Sequence, residues 1–180
     1  MNKIKKIYYI IYNKLKNENF ECALVNTNTI FNAQMKNNGY NRLDIIVRLL
    51  VLEEEIGMNN CGWRLYKKMQ TKRCLAKQSE LTIDDRIIKY KNLINSWKEN
   101  GYDNVTPIVI NKKKQLIDGS HRIALSIFYK QKLIKCKITN IDDTCDYSAE
   151  WFKNNGFCKS EMQIINNKYE EVRKQMMYNN

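Results

Sequence analysis

Between Leu43 and Ile56 the sequence is apolar around nearly the whole circumference of a helix. A helix with one apolar stripe can lie on a surface, but one that is apolar all round must be covered on several sides. The chain therefore has to build a layered domain with this segment inside. Before its last turn two charged residues interrupt the run, Asp44 and Arg48. Being four apart they share a face, so they either form an intrahelical ion pair that closes a buried surface or line a ligand pocket. Glu53, Glu54 and Glu55 follow and read as a solvated helix end.

A chain of 180 residues has room for such a core in one domain, without disulfides or a structural metal. Its hydrophobic fraction of 43% against 28% charged, with 11% aromatic residues, is that of a folded, soluble protein. The net charge of +12 favours polyanionic partners. The lysines are spread from Lys3 to Lys174 with no single stripe, a pattern that compositional bias on a solvated surface also produces, so nucleic acid is an alternative partner and not the favoured one. Cys22, Cys61, Cys74, Cys136, Cys145 and Cys158 form no C-x-x-C pair and have one histidine to join them, which argues against zinc and for reduced thiols in a cytoplasmic protein. Ile7 to Tyr12 is too short and too rich in tyrosine for a secretory leader and reads as part of an amphipathic helix. No apolar run reaches the length of a membrane span, so no membrane insertion is expected.

Along the chain the first third reads as helical. Asn37 to Gly39 marks a loop, Asn59, Asn60 and Gly62 a turn, and Trp63 to about Arg73 a short helix. Thr82 followed by Asp85 is a capping box, after which Ile87, Tyr90, Ile94 and Trp97 keep helical spacing until Gly101 stops the helix. The period then changes. Val105 to Ile110 is a β run with Pro107 at its start, Asn111 to Lys114 is a polar turn, and Gln115 to Ile117 returns as a hairpin strand. A helix is predicted from Ser120 to about Gln131, and Ile134, Cys136 and Ile138 alternate with lysines as a half-buried strand. Strand, helix and strand here read as a βαβ unit with a right-handed crossover. Ser160 with Gln163 can cap a last helix to about Met177. The expected class is α+β, with a helical N-terminal region over residues 1–80, a small α/β core over 81–142 and a helical C-terminal extension over 143–180 packed on the core.

Asp118-Gly119-Ser120-His121-Arg122 sits where the hairpin strand meets the next helix. The first amides of a helix lack intrahelical partners and carry partial positive charge, so such a turn attracts anions. Gly119 lets the backbone approach a ligand or take positive φ, Ser120 can cap and donate, and His121 and Arg122 add donors. Two cationic side chains in a first helical turn oppose the dipole by about 0.3–1 kcal/mol unless an anion is bound. The alternative is purely structural: Asp118 paired with Arg122, a satisfied buried His121 and an ordinary turn and cap.

The order Leu93-Ile94-Asn95-Ser96-Trp97, Gly101, Pro107-Ile108-Val109 and then Leu116 to Ala124 around the D-G-S-H-R turn resembles the ParB/sulfiredoxin superfamily. The resemblance covers about a third of the chain, from Leu81 to Ile138. It implies a nucleotide-binding core of sulfiredoxin-like fold. Phosphates would be held by Gly119, Ser120, His121 and Arg122, helped by Lys89, Asn92 and Ser96, whose spacings of three, four and seven put them on one helix face. Ser120 stands where sulfiredoxins carry their nucleophilic cysteine, which argues against sulfinic acid reduction. The chain after the unit is too short for the DNA-binding domain of a chromosome-partitioning ParB.

The branch it resembles more is that of the free-serine kinases, together with short ParB-like proteins of bacterial surface-polysaccharide biosynthesis. That implies a kinase-like transferase, moving a phosphoryl group from ATP or ADP, with CTP as an alternative nucleotide, to a small hydroxyl-bearing metabolite or sugar. Asp118 and His121 would be its catalytic residues, with Asp118 holding Mg²⁺ or accepting the hydroxyl proton and Glu53, Glu54 or Glu55 as weaker alternatives. The other reading is a nucleotide-sensing or nucleic-acid-binding module without catalysis.

Overall fold

The computed structural model describes residues 21–36, 39–77, 81–102, 106–142 and 145–178. The helix expected over Ile7 to Tyr12 and the β residue Val105 lie outside them. Among the described residues the elements are β1 (Glu21–Asn26), α1 (Thr27–Asn32), β2 (Met35–Lys36), β3 (Gly39–Tyr40), α2 (Leu43–Glu54), α3 (Gly62–Lys77), α4 (Ile83–Asn100), β4 (Ile108–Asn111), β5 (Leu116–Asp118), α5 (Ser120–Phe128), β6 (Leu133–Thr139), α6 (Ala149–Asn154) and α7 (Lys159–Tyr178). The class is α+β, a four-stranded mixed sheet with helices and a long C-terminal helix.

The sheet order is β1-β6-β4-β5. β4 pairs parallel with β6, while β1 on β6 and β5 on β4 are antiparallel. Two expectations are corrected by this arrangement. The first third is not wholly helical, because β1 adds an outer strand from Glu21↔Ile138 to Asn26↔Leu133. Its alternation is weak: Val25 is buried but Leu24 is exposed, as an edge strand with one solvated face permits. Nor do β5, α5 and β6 form a parallel βαβ unit. β5 runs against β4, so the parallel partners are β4 and β6, and the chain between them contains both the hairpin and α5. Interior strand β4 is buried at every residue, with Pro107 immediately before it, where a missing N–H costs the ladder nothing.

Residues of α2 from Leu43 to Glu53 are all buried, as its all-round apolar character requires. α3 crosses it closely at Gly62, which is the first residue of α3. A Cβ there would overlap the Leu50 carbonyl of α2, so this glycine serves close helix approach instead of a turn. The three glutamates at the end of α2 are tethers, not a solvated end. Glu53 pairs with Lys168 at 2.6 Å, Glu54 accepts the Trp63 backbone N–H at 2.7 Å and Glu55 accepts the Trp63 indole N–H at 2.8 Å.

Thr82 and Asp85 complete the expected capping box of α4, and Gly101 at φ 70° ends it. α7 begins at Lys159, ahead of the expected Ser160 cap: Glu161 reaches back to accept the Cys158 N–H at 2.9 Å. The C-terminal part is stitched to the start of α2, since Leu43 N–H donates to the Tyr147 carbonyl at 3.0 Å and Tyr147 N–H to that of Asn41 at 2.8 Å. No helix among the described residues is long and apolar enough to cross a membrane.

Candidate anion site at the start of α5

β5 delivers the chain into α5 through Gly119, which is the N-cap at φ 106° and makes no side-chain capping bond. Only glycine suits this position. The conformation is left-handed, and a Cβ would lie 2.5 Å from Ile108 Cγ2 of β4. Ser120 is therefore not the N-cap but the first helical residue. With no cap side chain, the amides of the first turn are left to water or a ligand.

The side chains of the turn diverge. Asp118 is 71% exposed and stands 3.6 Å from the Arg122 guanidinium. Arg122 Nη1 donates to the Thr106 carbonyl and, at 3.0 Å, to that of Pro107, so this side chain braces the approach to β4. Ser120 points the other way and its hydroxyl accepts from Arg42 Nη2 at 2.7 Å. His121 turns inward and is only partly accessible, its Nε2 being 2.8 Å from the Tyr66 hydroxyl and its ring 4.4 Å from that of Tyr90. Lys89, Asn92 and Ser96 are exposed on α4, and Tyr90 of that helix packs on His121 of the turn.

Behind Ser120 and His121 lies a buried cationic cluster. Arg42 grips Asp44 with two bonds, Nε to Oδ1 at 2.8 Å and Nη2 to Oδ2 at 3.2 Å, and donates from Nη1 to the Leu116 carbonyl at 2.9 Å. Arg48 adds the expected i,i+4 pair to Asp44 at 3.0 Å. Arg73 donates to the Tyr147 hydroxyl at 2.9 Å and lies 4.6 Å above that ring. Two guanidiniums thus hold one carboxylate, Arg73 adds its charge from farther off, and Arg48 Nε is buried with no hydrogen-bond partner. Burial opposes ionisation of Asp44, but Arg42 and Arg48 outweigh it and hold the carboxyl well below its usual range. Burial likewise pulls Arg48 below the usual guanidinium range.

The same field acts on His121. Burial first, then Arg48 and Arg73, push its pKa well below 6.5, with Asp44 opposing and Arg86 adding to the effect. His121 is consequently neutral at pH 7, and the two cations expected in the first turn reduce to Arg122. An anion near His121 would relieve the same repulsion.

Sequence reasoning found Asp44 with Arg48 and the turn, but missed Arg42, Tyr66, Arg73 and Tyr147. Tyr66 and Arg73 are seven apart on α3 and so share its inner face, a spacing that could have paired them. Nothing local marks Arg42 or Tyr147. Among the described residues no group of three or more His, Cys, Asp or Glu is placed to hold a metal ion. The cysteines are free, and burial raises Cys136 to about 12, which makes it a poor nucleophile. No family model, no curated protein and no solved structure matches the chain.

Proposed function

We propose that the chain is a nucleotide-binding protein whose Asp118–Arg122 turn receives nucleotide phosphates, and that it acts as a phosphotransferase on a small hydroxyl-bearing metabolite. The observation that carries this reading is the pair of buried guanidiniums of Arg42 and Arg48 on one carboxylate, with Arg73 adding a third positive charge, directly behind the uncapped start of α5. Burying cations in excess is costly unless an anion offsets them, so the cluster and the free amides favour the same ligand charge.

In this reading the first-turn amides bind phosphate oxygens and Arg42 holds the Ser120 hydroxyl with an oxygen lone pair engaged, leaving its proton free to donate. Neutral His121, fixed by Tyr66 and Tyr90, offers a polar ring at the turn. Phosphoryl transfer needs mainly positioning and charge neutralisation, which such donors supply. Mg²⁺ would neutralise phosphate charge; exposed Asp118 fits it as one carboxylate ligand among phosphate oxygens and waters. If it does not hold the metal, the Asp118 carboxylate would instead accept the acceptor's hydroxyl proton. The resemblance of the turn and its flanking elements to the ParB/sulfiredoxin superfamily supports the nucleotide as the anion, whereas Lys89, Asn92 and Ser96 lie on the exposed face of α4, away from the Tyr90 side that meets His121.

A thermal-shift series with nucleoside mono-, di- and triphosphates, with and without Mg²⁺, tests the reading. Ligand at 100 times its Kd stabilises by about 2.7 kcal/mol. Saturable stabilisation that grows with phosphate number is expected. An unmoved Tm with every nucleotide at millimolar concentration contradicts it.

A further inference from the structure

Tyr66 is fully buried on α3, and its hydroxyl lies 2.8 Å from His121 Nε2 at the start of α5. Such a contact can be made in two ways: the hydroxyl donates to a ring lone pair, or the ring N–H donates to the hydroxyl. The choice fixes which ring nitrogen carries the proton of neutral His121. Counting donors and acceptors decides it. Burial raises the Tyr66 pKa above its usual 10, so the hydroxyl keeps its proton at pH 7 and, cut off from water, has to place it on an acceptor. The other polar side chains that act on this hydroxyl are Arg48, Gln70, Arg73 and Arg86. The three arginines have donors only. Gln70 favours the phenolate, as a donor does, and its own carbonyl oxygen is buried with no hydrogen-bond partner, so it does not take the Tyr66 proton. His121 Nε2 is the acceptor left to Tyr66 among the described residues.

We propose that Tyr66 is a positioning residue that holds neutral His121 as the Nδ1–H tautomer, so that the ring serves the start of α5 as a fixed hydrogen-bond donor. Neutral histidine in water favours the opposite, Nε2–H, form, so the assignment depends on this contact. The rings of Tyr66 and Tyr90, at 5.8 and 4.4 Å, hold the imidazole in place. His121 is half-buried, which leaves its ring an edge toward solvent, and Nδ1 bonds no described residue. With Nε2 filled by Tyr66 and Nδ1 protonated, the ring has no lone pair free to accept a proton. A ligand oxygen that reaches it meets a donor. In the phosphotransferase reading, on which this last step rests, His121 donates to a phosphate oxygen and is not the base that accepts the hydroxyl proton.

Nitrogen–proton correlation spectra of the imidazole ring, recorded on the full isotope-labelled chain at about pH 8, read the tautomer directly, because protonated and bare ring nitrogens resonate far apart. The chain has one histidine, so the signals need no assignment. Wild type should show Nδ1 protonated and Nε2 bare. Tyr66→Phe keeps the ring that packs on Trp63 and Tyr90 and removes the hydroxyl. It should let the Nε2–H form rise to a major population and move the His121 pKa upward, because a hydrogen bond to the neutral ring is lost. An Nε2–H tautomer in wild type overturns the proposal whatever the variant does, and so does an Nδ1–H population unchanged in folded Tyr66→Phe. Saturating ATP separates this proposal from the nucleotide reading. A shifted Nδ1–H signal supports both, whereas an Nδ1–H tautomer indifferent to ATP supports the positioning of His121 by Tyr66 and contradicts only phosphate binding at the turn.

Discussion

Arg122 and Asp118 are neighbours in the structure, yet their substitutions should behave differently. Arg122 bonds the carbonyls of Thr106 and Pro107, so Arg122→Ala removes a brace as well as a phosphate donor. We expect a stability loss of about 1–3 kcal/mol in urea unfolding, accompanied by weaker nucleotide binding. Asp118 is mostly exposed and its contact with Arg122 is long, a pair of the kind that contributes about 0–1 kcal/mol. Asp118→Asn should keep the wild-type Tm to within the corresponding small shift. Its metal-free nucleotide affinity should be unchanged or slightly improved, because a carboxylate repels phosphates, while phosphate transfer to an acceptor falls steeply. If Asp118→Asn unfolds more readily and loses nucleotide together, the residue is a structural brace and leaves the catalytic set.

The junction of β5 and α5 depends on a single glycine. Gly119→Ala would place a methyl against Ile108 in a left-handed conformation, and a cost of about 2–4 kcal/mol is expected from strain and overpacking together. Urea unfolding of this variant close to wild type would show that the turn relaxes and is not rigidly positioned. Much at this scale was legible in sequence: the burial of α2, the Thr82–Asp85 capping box, the Gly101 stop and the β4–β5 hairpin all announce themselves through local period and turn chemistry. What was not legible came from tertiary pairing. β1 reads as helix because its alternation is broken by exposed Leu24, and it becomes a strand through its register on β6. Ser120 reads as a cap because hydroxyl residues usually are, but Gly119 takes that role and Arg42, distant in sequence, claims the hydroxyl. The glutamates of α2 read as solvated because their partners Trp63 and Lys168 lie on other helices.

Across the whole molecule the shifted groups give stability a common pH dependence. Glu161 loses solvation on burial, yet Lys68 at 2.6 Å and the Cys158 N–H more than compensate, lowering its pKa from 4.5 to about 2. A depressed carboxylate stabilises fully above its unfolded pKa and loses that contribution as pH falls through the folded value, so this part disappears between about pH 4.5 and 2. Asp44 acts in the same direction. His121, depressed below 6.5, also makes the unfolded chain the stronger proton binder just below that pH, so stability should begin to fall there. Urea unfolding from pH 8 to 3 should show this monotonic decline, and Glu161→Gln should flatten its lowest part. A stability maximum below pH 5 would be inconsistent with these shifts.

The one histidine of the chain is also the most direct reporter on the proposed phosphate site. Its ring signals in a nuclear magnetic resonance titration can be followed against pH without and with saturating ATP. The free protein should give a single titration well below 6.5, set by burial and by Arg48 and Arg73, and nucleotide phosphates at the start of α5 should shift the signals saturably and raise that pKa. Ring signals and a pKa indifferent to ATP at millimolar concentration would contradict phosphate binding at the Asp118–Arg122 turn.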